Sequence, residues 1–423
     1  MHAIRQEPLP LSQDMTSKFC PKVGIYFAHY ECYGHTSIVT AIGEVYKKRF
    51  PSGNLFFIQA GLDQPKAKID RLGKVFTLPN AFVSRRNFRE LNQGVSSEVS
   101  KRSAIFTEIL KRENPNLLIT EFFPLGWEEC RHELIPSLVR CASQDTALWA
   151  ISGHPLVAGS NFEWREKILK LYQKIIILCP VLEKKFFAEF HVRKNERQRY
   201  LDFFKRNEDK IIFAGYHLPK NDVVYDDEDK NIIKPSVPKN ACRVTVVRGG
   251  GAYYPKIIAE AIVSSDLLGP EYYLTVIAGP ATTIKEWYFF STLVSKKKIK
   301  NLVLLKSVGN YEEAIATSDV CVSVASYNSA TMILKHRKKA VLIPFVGYEE
   351  VSFIEQPARA AMLKEILGSQ ILNIGELTAR TLANKIRTAS NSRSSKPRIP
   401  AKWFSGGKFL DAKMAELLNP KVN

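Results

Sequence analysis

The chain has 423 residues, more than one hydrophobic core serves, so two or three domains are expected. With 45% hydrophobic and 24% charged residues its composition is globular and excludes a disordered or fibrous protein. Lysine plus arginine outnumber aspartate plus glutamate by 61 to 42, a formal net charge of +19. That charge favours anionic partners such as nucleic acid, acidic lipid head groups or phosphorylated substrates, with a merely solvated basic surface as the alternative.

Residues 1–19 contain two prolines and mixed polar residues, lack the apolar core of a signal peptide, and read as a loose arm. The apolar run 22–28 is a first buried strand. Its turn, containing His29, Gly34 and His35, leads into a helix near 37–50. Strands are expected at 55–59 and 75–78. Residues 84–102 are basic and polar, a long loop leading into a helix that 103–112 continues. A strand at 116–120 ends in Glu121-Phe122-Phe123-Pro124-Leu125-Gly126, and a helix follows. Further strands lie at 146–151, before Ser152-Gly153-His154-Pro155, and at 174–178 and 211–214, with a helix over about 161–173. Residues 218–240, with three prolines and an acidic cluster, are the expected linker.

The second half repeats the alternation. Strands at 242–247, 273–278, 320–324 and 340–343 end respectively in Arg248-Gly249-Gly250-Gly251, Gly279-Pro280, Ala325-Ser326-Tyr327-Asn328-Ser329 and Pro344. Alternating strands and helices imply a parallel sheet with right-handed crossovers, whose strand-end loops share one edge where ligands bind. Glycine lets backbone N–H groups approach an anion, and helix N-termini favour negative charge. These turns therefore point to a phosphate-bearing ligand. A plain flexible turn at the glycines and plain helix capping by Asn328 and Ser329 are the alternatives. Residues 391–400 read as a connector, and 404–418 as a terminal helix.

Seven cysteines show no C-x-x-C pair, as expected of a reduced, cytoplasmic protein without structural zinc. No apolar run approaches the ~18 residues of a membrane span. Arg85, Arg86, Phe88 and Arg89 form a basic-aromatic segment suited to an anionic membrane surface. No nucleic-acid-binding signature accompanies it, so nucleic acid is not an expected partner.

Two Rossmann-like halves facing across a cleft resemble the GT-B architecture of nucleotide-sugar glycosyltransferases, an α/β class of two doubly wound domains. Gly34-His35, the triple glycine, Gly279-Pro280, the 326–329 turn and Glu355-Gln356-x-x-Arg359-Ala360 resemble the group that includes the lipid-II N-acetylglucosaminyltransferase, with its glycosyltransferase family 28-like C-terminal domain. Phe123-Pro124-Leu125-Gly126 and the Glu133-Leu134-Ile135-Pro136-Ser137-Leu138 helix are similar to a bacterial family of predicted glycosyltransferases in that group, as is the Ala214-Gly215-Tyr216 strand end. The resemblance spans about residues 20–365. It implies an acceptor domain at 20–217, a nucleotide-sugar domain at 241–390, and a connector with terminal helix at 391–423.

The resemblance further implies a metal-independent, inverting transfer from a nucleotide-diphosphate sugar, UDP-sugar first, to a hydroxyl on a lipid-linked, glycan or small-molecule acceptor. No cofactor would be required. The diphosphate would sit near Gly249, Gly250, Gly251, Gly279, Pro280, Ser326, Tyr327, Asn328 and Ser329, with Arg248 assisting. The base would lie near Ser307, Val308 and Gly309, and Glu355 and Gln356 would face the sugar. His35 is the expected general base, since its charge changes near neutrality at a turn facing the cleft. His29 is the rival. Gly34, Glu121 and His154 are acceptor-side candidates, although Glu121 and His154 could serve only their turns. One position departs from the group: the carboxylate that usually bonds the ribose is Met332 here, with Glu349, Glu350 and Glu355 the nearest replacements. Either one of these substitutes, or the donor differs, or the site has decayed. A nucleotide-sugar hydrolase or epimerase and an inactive binding subunit are the competing functions. The expected location is the cytoplasm, at the inner membrane face if the basic-aromatic segment engages lipid.

Overall fold

The computed structural model describes residues 20–29, 34–61, 69–79, 97–157, 162–190, 194–219, 240–250, 254–308, 310–346, 350–393 and 397–419. The arm at 1–19, the basic-aromatic segment at 85–89, most of the expected linker, and Gly251 and Gly309 lie outside these residues.

Seven strands build the first sheet: β1 (Lys22–His29), β2 (Asn54–Gly61), β3 (Lys74–Thr77), β4 (Leu117–Glu121), β5 (Ala147–Ser152), β6 (Lys174–Ile177) and β7 (Ile211–Phe213). Six build the second: β8 (Cys242–Val247), β9 (Tyr272–Ile277), β10 (Leu302–Leu305), β11 (Val320–Ser323), β12 (Lys339–Leu342) and β13 (Gln370–Ile371). Their orders are β3-β2-β1-β4-β5-β6-β7 and β10-β9-β8-β11-β12-β13, and every pairing is parallel. Central strands such as Ala-Leu-Trp-Ala-Ile-Ser in β5 are buried at every position, as befits a parallel sheet covered on both faces.

Helices α1 (Gly34–Arg49), α2 (Ser97–Glu113), α3 (Arg131–Ser143), α4 (Phe162–Leu169), α5 (Glu183–Glu189) and α6 (Lys194–Arg206) belong to the first half. Helices α7 (Pro255–Leu268), α8 (Ile284–Lys297), α9 (Tyr311–Ala316), α10 (Tyr327–Lys335), α11 (Glu350–Leu367) and α12 (Ala379–Asn391) belong to the second. In each sheet the strand order reverses at one place, between β1 and β4 and between β8 and β11. The loops leaving those strands open the crevice where ligands of such sheets bind.

The two halves share packing. One apolar cluster runs from the first sheet through Tyr327, Met332 and Ile354 of the second half, while the opposite face of the second sheet has its own cluster. A last helix, α13 (Gly406–Leu418), crosses back to pack on α1, where Arg49 pairs with Asp411 at 2.5 Å. The crossing is close. Gly215 has φ +84°, and a Cβ there would stand 2.6 Å from the Lys402 carbonyl oxygen, so this strand end requires glycine. The Tyr216 N–H donates to the Trp403 carbonyl at 2.6 Å.

Two expectations change. The helix that 103–112 was expected to continue starts at Ser97, inside the basic stretch. Arg102, expected on a basic surface, is buried and donates to Glu133 at 2.6 Å, and the Tyr26 hydroxyl donates to the same carboxylate at 3.0 Å. The Glu133 helix motif thus braces the first core. The cysteines described are all unpaired, with Cys179 and Cys321 buried. Among the described residues no helix is long and apolar enough to cross a membrane.

Candidate active site

At the first sheet's reversal, α1 starts directly after β1 and β4 ends on Glu121. Strand order makes these loops neighbours although 86 residues separate them, and His35 Nδ1 lies 2.9 and 2.8 Å from the two Glu121 oxygens. Glu121 is 1% exposed. The chain after it is shaped to hold this pair. Phe122 (φ 64°) and Trp127 (φ 51°) take left-handed backbone, Phe123-Pro124 is cis, and Gly126 lies directly against the Phe122 ring, leaving no room for a side chain. His35 stacks beside Phe122 at 6.1 Å and Trp127 at 5.0 Å between ring centroids. Arg165, fully buried, fixes the segment by donating to the Pro124 carbonyl at 3.1 Å and pairing with Glu128 at 3.0 Å.

Burial lowers the His35 pKa, but the charge and hydrogen bond of Glu121, helped by Glu355, outweigh it and the net shift is upward. A carboxylate on Nδ1 selects the tautomer with the proton there and leaves Nε2 as the basic atom. Among the described residues Nε2 has no hydrogen-bond partner. Glu121, expected as an acceptor contact or a turn cap, is thus the partner of His35.

His154 behaves differently. It is 5% exposed, lies edge-on to Phe122 at 4.7 Å, and has no partner for Nδ1. Burial pulls its pKa down to about 4, so it is a neutral ring in the wall. Its turn is held instead by Ser152, whose Oγ donates to the His154 carbonyl at 2.6 Å. The His29 side chain lies outside the description. Gly34 opens α1 with open space where a Cβ would stand.

On the second sheet, Gly249 (φ +85°) and Gly279 (φ +96°) press together: a Cβ on Gly279 would stand 2.5 Å from the Gly249 carbonyl oxygen. Past Gly250, α7 begins with Pro255 at its first turn and no side-chain cap. Helix α10 also lacks a cap bond from Ser326, whose Oγ pairs with Ser329 Oγ at 2.9 Å. By contrast Thr283 and Glu286 cap α8 reciprocally. Two uncapped N-termini therefore flank the reversal, with backbone donors available to an anion.

Arg248, expected to hold the diphosphate, turns inward. Its guanidinium donates to the Ala278 carbonyl at 2.8 Å and Thr282 Oγ1 at 2.9 Å, and pairs with Glu286 at 3.2 Å. The side chain is 0% exposed, so it braces the Gly279-Pro280 turn instead. Ser307 and Val308 are half-buried just past β10. Gln356 Oε1 accepts from the Phe345 N–H at 2.7 Å, which leaves its amide group as donor. Met332 is 4% exposed within the shared core.

The halves meet at this edge. Tyr327 donates to the Leu178 carbonyl at 2.8 Å, and Asn328 Nδ2 donates to Ser37 Oγ at 3.0 Å, two residues after His35. Arg359, unnoticed in sequence beyond its motif, is fully buried. It pairs with Glu355 at 2.5 Å, lies 3.5 Å from Glu183, and sits over the Tyr327 ring at 5.3 Å. Tyr216 also donates to Glu183, at 2.5 Å. Arg359 also donates to the Gly153 carbonyl at 3.4 Å, and the Glu355 charge helps raise the His35 pKa, so α11 of the second half reaches the strand-end turns of the first.

Two doubly wound parallel sheets meeting at their ligand-binding edges, with the last helix returned to the first half, constitute the GT-B fold. Solved structures agree. A glycotransferase of kitacinnamycin matches 94% of this chain and 96% of its own, with TM-score 0.56 and 11% identity. MurG of Acinetobacter baumannii matches 94% of each chain, with TM-score 0.51 and 13% identity. A UDP-GlcNAc 2-epimerase from Neisseria meningitidis, bound to UDP-GlcNAc, matches 94% and 99% with TM-score 0.54 and 11% identity. No protein-family model matches the sequence, and no curated protein does.

Proposed function

We propose that this chain is a glycosyltransferase that moves a sugar from a nucleotide-diphosphate sugar, UDP-sugar first, to an acceptor hydroxyl with inversion. The observation that carries the reading is the His35–Glu121 pair at one reversal, facing two uncapped helix N-termini at the other. His35 Nε2 takes the hydroxyl proton as the oxygen attacks the anomeric carbon, and Glu121 stabilises the imidazolium that forms. The bond from sugar to diphosphate breaks on the opposite face. The departing charge falls to the α7 and α10 N-termini, and the reading assigns no step to a metal. Glu355, held by Arg359, and the Gln356 amide serve sugar hydroxyls. The protein would act in the cytoplasm or at its membrane face.

The test is thermal melting with UDP, GDP, dTDP, CDP or ADP, followed by product analysis with and without acceptors. A nucleotide at a hundredfold excess over its Kd is expected to stabilise the fold by ~2.7 kcal/mol. Replacing His35 by alanine is expected to keep that shift while turnover falls about 10²–10⁴-fold. Free sugar or an epimer formed without acceptor would favour the hydrolase or epimerase reading. Absence of any nucleotide shift would leave the binding-subunit reading.

A further inference from the structure

Away from the strand-end edge, α5, α6 and the short 3₁₀ turn Ala401–Phe404 line an open groove of about 510 Å³. That volume lies within the ~300–1,000 Å³ of small-molecule sites. Leu182, Ala188, Leu201 and Trp403 supply its apolar surface. Lys184, Lys185, Arg197 and Lys402 also line it, and no carboxylate does. Lys185 meets Glu365 at 3.4 Å, with both side chains more than half exposed. Lys184 lies over the Phe204 ring at 5.8 Å. Arg197 and Lys402 are exposed and have no side-chain ion pair among the described residues.

We propose that this groove binds a single-chain anionic amphiphile: an acyl or prenyl chain ending in a phosphate or carboxylate. Lys184, Arg197 and Lys402 place like charges beside an apolar hollow, with Lys185 alone of the four meeting a carboxylate, and an anionic head would neutralise them. The chain would fill the hollow and remove its apolar surface from water. A polyanion such as nucleic acid would use the charges and leave the hollow empty. Most of the apolar groups line the hollow, with Val181 among them 58% exposed, and binding to vesicles is therefore measured separately. The 401–404 turn is also the wall whose carbonyls approach Gly215 and bond Tyr216, and Tyr216 in turn donates to Glu183 beneath Arg359. A bound amphiphile would therefore brace the joint between the halves. This inference does not depend on the proposed transfer reaction.

The test uses the full chain and dodecyl phosphate below its micelle-forming concentration, titrated by calorimetry beside dodecanoate, dodecanol and inorganic phosphate. Two variants are compared: Arg197→Glu with Lys402→Glu, both on exposed side chains, and Leu201→Trp, which fills the hollow. Saturable one-to-one binding is expected, at least about tenfold tighter for dodecyl phosphate or dodecanoate than for dodecanol or phosphate. The phosphate and carboxylate arms identify the preferred head. Both variants are expected to weaken binding about tenfold or more. Equal binding of inorganic phosphate, unchanged affinity in the charge-reversed variant, or binding to phosphatidylglycerol vesicles without binding to the monomeric amphiphile would each overturn the proposal.

Discussion

Burial lowers the His35 pKa; Glu121 and Glu355 push the other way, and the net effect is a raised pKa. A general base must be deprotonated, so kcat/KM is expected to rise with pH through the His35 pKa and level off above it. Glu121→Gln removes the charge that raises the pKa. Its acid limb is expected to move to lower pH while the plateau falls, measured as a pH–rate profile. An unmoved limb would show that another group titrates. His154 acts on stability instead. Its folded pKa of about 4 lies below the ordinary 6.5, so the unfolded chain binds the proton more tightly between those values. Stability is therefore full above about pH 6.5 and is lost as pH falls towards 4, by about 3 kcal/mol in total. His154→Gln is expected to flatten that part of the acid denaturation curve, read from urea midpoints at pH 4–7.

At the scale of elements, α10 and α11 both make polar contacts between the halves, and α11 supplies the ion pairs of the joint. Arg359 is shared by Glu355 on its own helix, which is 23% exposed, and by Glu183 on α5, which is buried. Arg359→Met would leave the buried Glu183 and the partly exposed Glu355 without their cation, and loss of about 3 kcal/mol is expected in urea unfolding. Adding Glu183→Gln and Glu355→Gln should recover much of it, because the isolated charges go too. If Arg359→Met alone is neutral, the cluster contributes nothing to holding the halves together.

Sequence legibility differed by element for physical reasons. Long, β-branched strands such as β1 and β8 announce themselves because both faces are buried. The two-residue β13 has no periodicity to read, and α5 and α6, one short and one dense in charge, fell between recognised strands. The glycine turns and His35 were visible as residue types at strand ends. The partner of His35 was not, because it depends on β4 lying beside β1. Arg248 reads as a charged group able to assist a diphosphate, since a sequence does not show which way a side chain turns.

For the whole molecule, the crossing of α13 is the main tie besides that joint. Leu410, Met414 and Leu418 are buried, so truncation after Arg398 is expected to destabilise the first half by about 5 kcal/mol or more, seen as a lower melting temperature and faster proteolysis there.

The same crossing bears on biosynthesis. Arg49 and Asp411 are 362 positions apart, so the surface of α1 stays uncovered while nearly the whole polypeptide is translated. Most multidomain chains complete their leading domain first. Here the trailing half, closed by contacts nearer in sequence, can reach its final form before the leading one. Until then the leading half bears the open α1 surface on which α13 later packs, so its last packing step waits for the end of the chain.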